Sequence, residues 1–581
     1  MRKPQTKGGT ASFNRPSDFS GGRYFFEKGC LKMAITKLLE RNAQTFPDET
    51  ALVEINPDRQ DADAPGAWTE FSLVELNYQE NTYRRELSWQ DFDCRANRFA
   101  NLLLANGVQK EDKIGVLMMN CLEWLPIYFG ILKTGALAVP LNYRYTADEI
   151  KYCLDLADCS LLIFGDEFIE RVSLIKNDIP KVGKLYYVGA TCPSWAESYY
   201  QFMSYCSSRR PPVEITEDDN AAIYFSSGTT GFPKAILHTH RSLTHAADTE
   251  QAHHGQLHDD CFLCIPPLYH TGAKMHWFGS LHSCSKGVLL RGISPKWILE
   301  TAASEKATNV WLLVPWAQDI LDALDAGEVK LSDYDLSAWR LMHIGAQPVP
   351  PALIKRWKEY FPHHLYDTNY GLSESIGPGC VHLGVENIHK VGAIGVPGFG
   401  WECKIVDPEK AALPQGSVGE LAVRGPGVMT CYYRNEEATK ESLSNDGWLW
   451  TGDMARMDED GFIWLVDRKK DVIITGGENL YPVQIEDFLR GNNKIKDVAV
   501  IGRSHPRLGE IACAIIEIKP GMVATEDEIN EFCHDLPRYK RPKEIIFDVV
   551  PRNPTGKIEK PALRLKYGSA ELVSQQTGTQ N

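Results

Sequence analysis

The run Tyr224-Phe225-Ser226-Ser227-Gly228-Thr229-Thr230-Gly231-Phe232-Pro233-Lys234 constrains this chain more than any other. It sets two Gly, four Ser or Thr hydroxyls and one Lys between two apolar segments. Gly lets backbone N–H groups approach a ligand closely and take up positive φ, the hydroxyls add donors, and Lys supplies a point charge, so the loop reads as a cradle for a polyphosphate. A polar turn built from the same residues for local reasons is the alternative. A Walker A loop needs four residues between its glycines and Ser or Thr after the Lys, whereas Lys234 precedes Ala235; P-loop NTPases are disfavoured. The following Ala235-Ile236-Leu237-His238-Thr239-His240 alternates as a strand does. The loop is therefore expected to join two strands rather than to open a helix.

A chain of 581 residues with 43% hydrophobic content can bury more than one large core. Its formal net charge of -14 argues against a nucleic-acid partner, which needs a concentrated basic surface. Fifteen Cys are scattered without a framework, and Met1-Arg2-Lys3-Pro4-Gln5 is not followed by the apolar core of a signal peptide, so reduced thiols in a cytoplasmic protein are expected. Cys261-Phe262-Leu263-Cys264 has a zinc-like spacing but sits in an apolar, strand-like run without a second pair; it reads as core. The most apolar long stretch, residues 114–141, is broken by Asn120, Glu123 and Lys133, which excludes integral membrane association through it. Residues 1–31 and 567–581 read as flexible tails. Strands followed by amphipathic helices recur, as in Lys113-Ile114-Gly115-Val116-Leu117 before a helix-like 122–132, the pattern of layered α/β folds.

Further motifs follow the phosphate loop in order: Pro266-Pro267-Leu268-Tyr269-His270, Gly345-Ala346-Gln347-Pro348, Tyr370-Gly371-Leu372-Ser373-Glu374, Gly447-Trp448-Leu449-Trp450-Thr451-Gly452-Asp453, Asp467-Arg468-Lys469-Lys470-Asp471, Gly476-Gly477-Glu478-Asn479 and Pro554-Thr555-Gly556-Lys557. The ordered set resembles the AMP-forming acyl-CoA synthetases, in the adenylate-forming superfamily that also holds luciferases and peptide-synthetase adenylation domains. The resemblance spans residues 32–566. It implies an α/β fold: a large N-terminal domain (32–468) of layered α/β subdomains with a β-barrel-like part, and a small mobile α+β C-terminal domain (469–566) after a hinge at Lys470. The polar stretch 56–86 stands where the family has a short hairpin.

The resemblance also implies the chemistry. Ser226, Ser227, Gly228, Thr229, Thr230, Gly231 and Lys234 would hold the ATP phosphates, Glu374 a bridging Mg2+, and Ser373, where the family usually has Thr, the α-phosphate. Gly345, Ala346 and Gln347 would form the adenine slot beneath Tyr370 and Gly371, with Asp453 and Arg468 on the ribose. Lys557 would stabilise charge in adenylation. Rotation about Lys470 would then bring Gly476, Gly477 and Glu478 to line a pantetheine tunnel, with His270 as its gate and Tyr539, Arg541 and Lys543 on the coenzyme A nucleotide. Small-molecule partners are thus a carboxylate, ATP and coenzyme A; a homodimer is compatible.

A carrier-protein-loading adenylation enzyme is the rival, as is a non-catalytic paralogue. The first is disfavoured because Tyr269-His270-Thr271-Gly272-Ala273-Lys274 offers no acid for a substrate ammonium, the second because Lys234, Glu374, Asp453 and Lys557 are intact. Short-chain acetate-type relatives carry Trp at the position of Gly371, so Gly371 leaves the acyl pocket open. Trp277, Phe278 and Trp316 are expected to bound a compact cavity for an aromatic, alicyclic or medium-chain acid.

Overall fold

The computed structural model describes residues 32–59, 83–226, 233–345, 349–475, 478–552 and 558–568. Both expected tails lie outside these residues, apart from Tyr567 and Gly568. Two large mixed sheets, one of seven strands and one of eight, organise the chain up to residue 367, and the eight-stranded one also takes in Cys431–Tyr432. The eight-stranded sheet is parallel through its middle, for example Ile114 beside Ala138 and Leu161, and turns antiparallel at one end, where Asn220–Ser226 pairs Lys234–Thr239 and that strand pairs the edge strand Cys431–Tyr432. Interior strands such as Asn309–Leu313 are buried along their whole length, as parallel strands covered on both faces must be.

The helices that cover them start where side chains cap them. Ser88 and Asp91 form a capping box for Trp89–Ala105, as do Thr146 and Glu149 for Ala147–Leu156, each supplying partners to N–H groups the helix cannot satisfy itself. His240–His254 and Thr271–Ser283 pack together in the interior, and every residue of the second is buried. The expected strand Lys113–Leu117 is present, and its helix runs Trp124–Leu132. Cys261–Cys264 is a fully buried strand of the seven-stranded sheet, so both thiols belong to the core.

The part expected to be barrel-like consists of two antiparallel sheets, of three and four strands, bridged at Gly395 and Ile463. Beyond residue 469 a separate five-stranded sheet carries two cores of its own. The layered α/β class with a large N-terminal and a small C-terminal domain is therefore observed. Residues flanking the polar insertion pair as a hairpin, Ile55 opposite Arg84, and 60–82 lie outside the described residues. The last helix, Lys560–Tyr567, continues one residue into the expected tail because Tyr567 packs with Leu563 and Val550.

Candidate active site

Strands Asn220–Ser226 and Lys234–Thr239 face each other with Ser226 opposite Lys234, so the ends of the phosphate loop are pinned by a hairpin, as the alternation predicts. Ser227, Gly228, Thr229, Thr230 and Gly231 lie outside the described residues. Lys234 Nζ sits 4.7 Å above the Tyr432 ring, and the Tyr432 hydroxyl donates to Glu374 Oε1 at 2.7 Å. Glu374 is held in a tight turn, Ser373–Ser375. Ser375 Oγ accepts from Leu372 N at 2.9 Å, Met429 N donates to the Glu374 carbonyl at 2.8 Å, and Ile376 adopts a left-handed φ of 61°.

His238 joins these two elements. Its Nε2 donates to the Ser373 carbonyl at 2.8 Å and its Nδ1 meets Ser242 Oγ at 3.2 Å; burial pushes its pKa down to about 4, so the ring is neutral. The strand after the phosphate loop is thus tied to the backbone of the segment carrying Ser373 and Glu374. Neither His238 nor Tyr432 stands out in the sequence, since each is one more apolar-facing position of a short strand.

Tyr370 donates to Asp453 Oδ2 at 2.5 Å, and Arg468 Nε lies 3.4 Å from Asp453 Oδ1. Asp453 and Arg468 are direct cross-strand neighbours, so a sheet register aims both at Tyr370. Burial and the adjacent carboxylate push the Tyr370 hydroxyl well above its usual range, which keeps it a proton donor. Gly345 ends the buried strand Leu341–Gly345, and Ala346 and Gln347 are outside the described residues.

His270 caps Thr271–Ser283, its side chain accepting from Gly272 N at 3.2 Å. One turn on, the fully buried Lys274 donates to the Leu268 carbonyl at 3.1 Å and lies over the rings of Trp124, Tyr128 and Tyr224, the nearest 4.3 Å away. Burial drives its pKa well down, and its amine locks the turn before His270 against the first residue of the phosphate-loop run. Trp277 departs from expectation: it points into the aromatic core, 5.8 Å from Phe92 and 5.9 Å from Phe129, on the side of the helix facing Gly287. It fills core rather than bounding an acyl pocket. Trp316 is half-buried between the two main cores, and Gly371 sits at an irregularity of its strand pair.

Lys470 lies exposed in a turn between Arg468 and Asp471, which pairs with Arg564 at 2.6 Å. The buried Asp467 accepts from Val483 N at 2.9 Å, and burial raises its pKa to about 6. Gly476 and Gly477 fall outside the described residues between the paired strands Ile473–Thr475 and Glu478–Leu480, as does the side chain of Glu478. Tyr539 and Lys543 are exposed, whereas Arg541 donates to the carbonyls of Leu536 and His534, which gives it a local structural task. Lys557 is outside the described residues. Its flanks are fixed: Arg552 bridges to Ile558 and forks onto both oxygens of Asp497 at 2.6 and 2.9 Å.

Two layered α/β subdomains, antiparallel sheets beside them and a small domain beyond a charged turn make the fold of the adenylate-forming enzymes. Residues 39–433 match the AMP-binding enzymes and residues 484–557 the AMP-binding enzyme C-terminal domain. The chain is 31% identical over 503 residues to a long-chain-fatty-acid–CoA ligase, FadD13, of Mycobacterium tuberculosis, covering 85% of this chain and 95% of the relative. It is 32% identical over 487 residues to a feruloyl-CoA synthase of an Amycolatopsis species, covering 83% and 94%. Among solved structures, an anthranilate CoA ligase in complex with anthranoyl-AMP superposes with a TM-score of 0.80 at 25% identity, over 94% of this chain and 98% of that one. The chain belongs to the AMP-binding enzymes, within their AMP-forming acyl- and aryl-CoA ligases.

Proposed function

We propose that this enzyme joins an aromatic, alicyclic or medium-chain carboxylic acid to coenzyme A in two half-reactions. A carboxylate oxygen attacks the α-phosphorus of ATP, expelling pyrophosphate and giving an acyl-adenylate; the coenzyme A thiol then displaces AMP and leaves the thioester. The observation that carries the reading is the short segment 369–375, where Tyr370 is hydrogen-bonded to Asp453 and Glu374 to Tyr432 beneath Lys234. It gathers groups suited to a ribose, a base and phosphate oxygens around one segment of seven residues.

In this reading Asp453 accepts from the ribose hydroxyls with Arg468 beside it, Tyr370 stacks on adenine, and Lys234 with Ser226 and the loop 227–231 holds phosphates. Glu374 suits Mg2+: it is a hard oxygen donor aimed by Tyr432, with its second oxygen without a partner among the described residues. The ion supplies charge neutralisation on the phosphates. Lys557 stabilises charge in adenylation. The turn at Lys470 then carries the small domain round, presenting Gly476, Gly477 and Glu478, with Tyr539 and Lys543 toward the coenzyme A nucleotide and His270 at the tunnel mouth. The domain limits at 468 and 469 belong to this proposal. The acid class rests on Gly371 and on the feruloyl and anthranilate substrates of relatives. Fourteen cysteines without a disulfide among the described residues support a cytoplasmic setting.

The test is a panel of carboxylates assayed for pyrophosphate release and for thioester. Acid-dependent pyrophosphate with AMP as the second product is the expected result, and thioester only with a carrier protein would favour the rival reading.

A further inference from the structure

Behind Tyr370 lies a buried polar cluster that adenylation does not use. Glu250 and His254 end the helix His240–His254, His276 comes from Thr271–Ser283, and Asp367 precedes the Tyr370 segment. Glu250 Oε2 takes His276 Nδ1 at 2.5 Å and His254 Nδ1 at 3.1 Å; His254 Nε2 then reaches Asp367 at 3.2 Å. The contacts to Glu250 are satisfied, and that of His254 with Asp367 is an ion pair without hydrogen-bond geometry. What they leave over points to a ligand.

Four side chains, none more than 7% exposed, hold polar atoms with no partner among the described residues: His276 Nε2, both ring nitrogens of His343, Trp311 Nε1 and Asn369 Oδ1. Buried polar atoms are usually paired, and unpaired ones occur elsewhere among the described residues too, so what distinguishes these four is that they gather in one place. They are close together: the His276 ring centroid is 4.4 Å from that of His343 and 4.5 Å from that of Trp311. A Cβ built on Gly345 would lie 3.8 Å from Asn369 Oδ1 and 3.9 Å from Trp311 Nε1, so two of the four flank the residue assigned to the adenine slot. The cluster therefore adjoins the space into which an acyl group leads from the adenylate.

Their chemistry selects a partner. Nδ1 of His276 and Nδ2 of Asn369 both donate to Glu250, which leaves His276 Nε2 and Asn369 Oδ1 as acceptors. Trp311 Nε1 can only donate, and His343 can do either. Two acceptors, one donor and one ambivalent ring suit a group that both donates and accepts. A second carboxylate accepts only, and it would meet two lone pairs beside Glu250 and Asp367, whose two charges face one strongly paired imidazolium, His254. An apolar end would leave all four groups unsatisfied. A transition metal could in principle use Glu250, His254 and His276, whose ligand atoms lie within 4.8 Å of one another. Yet His254 faces a carboxylate from each ring nitrogen, the Asp367 contact being an ion pair without hydrogen-bond geometry, which makes a chain of paired charges rather than a convergent centre.

We propose that Trp311, Asn369, His276 and His343 form a hydroxyl-recognition site at the far end of the acyl pocket, so that the acid carries a hydroxyl distal to its carboxylate. From His270 to His276 the helix rises about 9 Å, which places that hydroxyl across one ring or a medium-length chain from the reacting carboxyl.

The inference rests on the ligase reading, and its experiment separates the two. Thioester formation is compared for para-hydroxyphenylpropanoate against phenylpropanoate and for omega-hydroxyoctanoate against octanoate, with octanedioate and omega-aminooctanoate as further arms. The expected result is a kcat/KM advantage of ~10²-fold or more for at least one hydroxy acid over its analogue, since a site built around a hydroxyl rejects the compound lacking it. Trp311→Phe, which removes the indole N–H donor together with part of the ring system, is expected to shrink that ratio about tenfold, the kcat/KM for the unhydroxylated analogue reporting the loss of volume separately. Equal kcat/KM for both members of both pairs, preference for the diacid or amino acid, or a stoichiometric metal retained through chelation would each overturn the proposal while leaving the ligase reading standing. If no acid yields thioester, the ligase reading fails, and binding decides alone: with Lys557→Ala protein and ATP, a hydroxy acid that raises Tm no more than its analogue overturns the hydroxyl site, and one that raises it further upholds it.

Discussion

The Tyr432 hydroxyl donates to Glu374 Oε1 at 2.7 Å while the Tyr432 ring lies 4.7 Å beneath Lys234 Nζ. One aromatic side chain thus positions both the acid assigned to Mg2+ and the cation assigned to phosphate. Glu374→Gln is expected to lower ATP–pyrophosphate exchange by ~10²–10³-fold, the usual cost of one lost charge-stabilising group. Tyr432→Phe keeps the carboxylate and loses its aim, so a smaller loss of about tenfold, offset by raised Mg2+, is expected from a hydrogen bond to a charged group. Titrating Mg2+ at fixed ATP reads both; an unchanged Mg2+ requirement in Tyr432→Phe removes that role.

The buried histidine cluster should contribute most to stability near pH ~6.5. Burial alone would lower the pKa of His254, but Glu250 and Asp367 raise it to about 10, so its contribution is complete below ~6.5 and is lost as pH climbs toward 10. His238, held at about 4, and His276 and His343, both lowered by burial, act oppositely: the unfolded chain takes up their protons as pH falls below ~6.5. Glu250 and Asp367, both depressed, withdraw stability at still lower pH, and His253, stacked 3.9 Å from His382 and itself lowered to about 3, adds to the acid side. Thermal melts across pH 4 to 10 give the profile. Lys274, lowered by burial, acts against His254 as pH rises, so the melts are repeated in Lys274→Met, and a flat curve between 6.5 and 9 in that variant would remove the His254 imidazolium.

Changes at the two domain elements should have opposite signatures. Lys557→Ala is expected to cripple adenylation by ~10²–10³-fold and to spare thioester formation from supplied acyl-adenylate. Lys470→Pro fixes φ near −65° in the turn between Arg468 and Asp471, so adenylation should persist and thioester formation fail. Single-turnover assays of each half-reaction distinguish them, and a Lys470→Pro enzyme that completes both steps moves the hinge elsewhere.

Trp277 gives a direct test of core against pocket. Removing an indole packed on Phe92 and Phe129 should cost ~3–5 kcal/mol, so Trp277→Ala should melt far earlier. Among the molecules that remain folded, the ranking of acids should be unchanged. A reordered ranking without loss of stability would return Trp277 to the pocket wall.

The residues legible in the sequence are those whose task is local. Asp453 and Arg468 fall in recognisable strings, and an ordinary antiparallel register then brings them opposite each other. The hairpin at Ser226 and Lys234 could be read from alternation alone. Trp277 could not be placed, because Thr271–Ser283 is buried all round and offers no amphipathic stripe to tell its core side from its ligand side. Glu250, His276, Trp311, His343 and Asn369 stand on separate segments with no shared spacing. The packing of the two inner helices, the seven-stranded sheet and the Tyr370 segment brings them together, and His276, Trp311, His343 and Asn369 are marked further by polar atoms without a partner among the described residues.

Gly371 carries the remaining inference about acid size. It follows Tyr370 at the point where the strand pair shifts register, Gly371 lying opposite Pro378, so a side chain added there would enter a place the backbone has already distorted. Gly371→Trp is expected to move preference toward short acids, because an indole on that wall fills the room a ring or medium chain needs. Overpacking could cost ~1–3 kcal/mol, so a thermal melt must show a folded protein before activities are compared. A folded variant that still favours its bulky acid over acetate or propionate would show that Gly371 does not line the pocket. The size of the substrate would then have to be argued from the far end, where Trp311 and His276 stand.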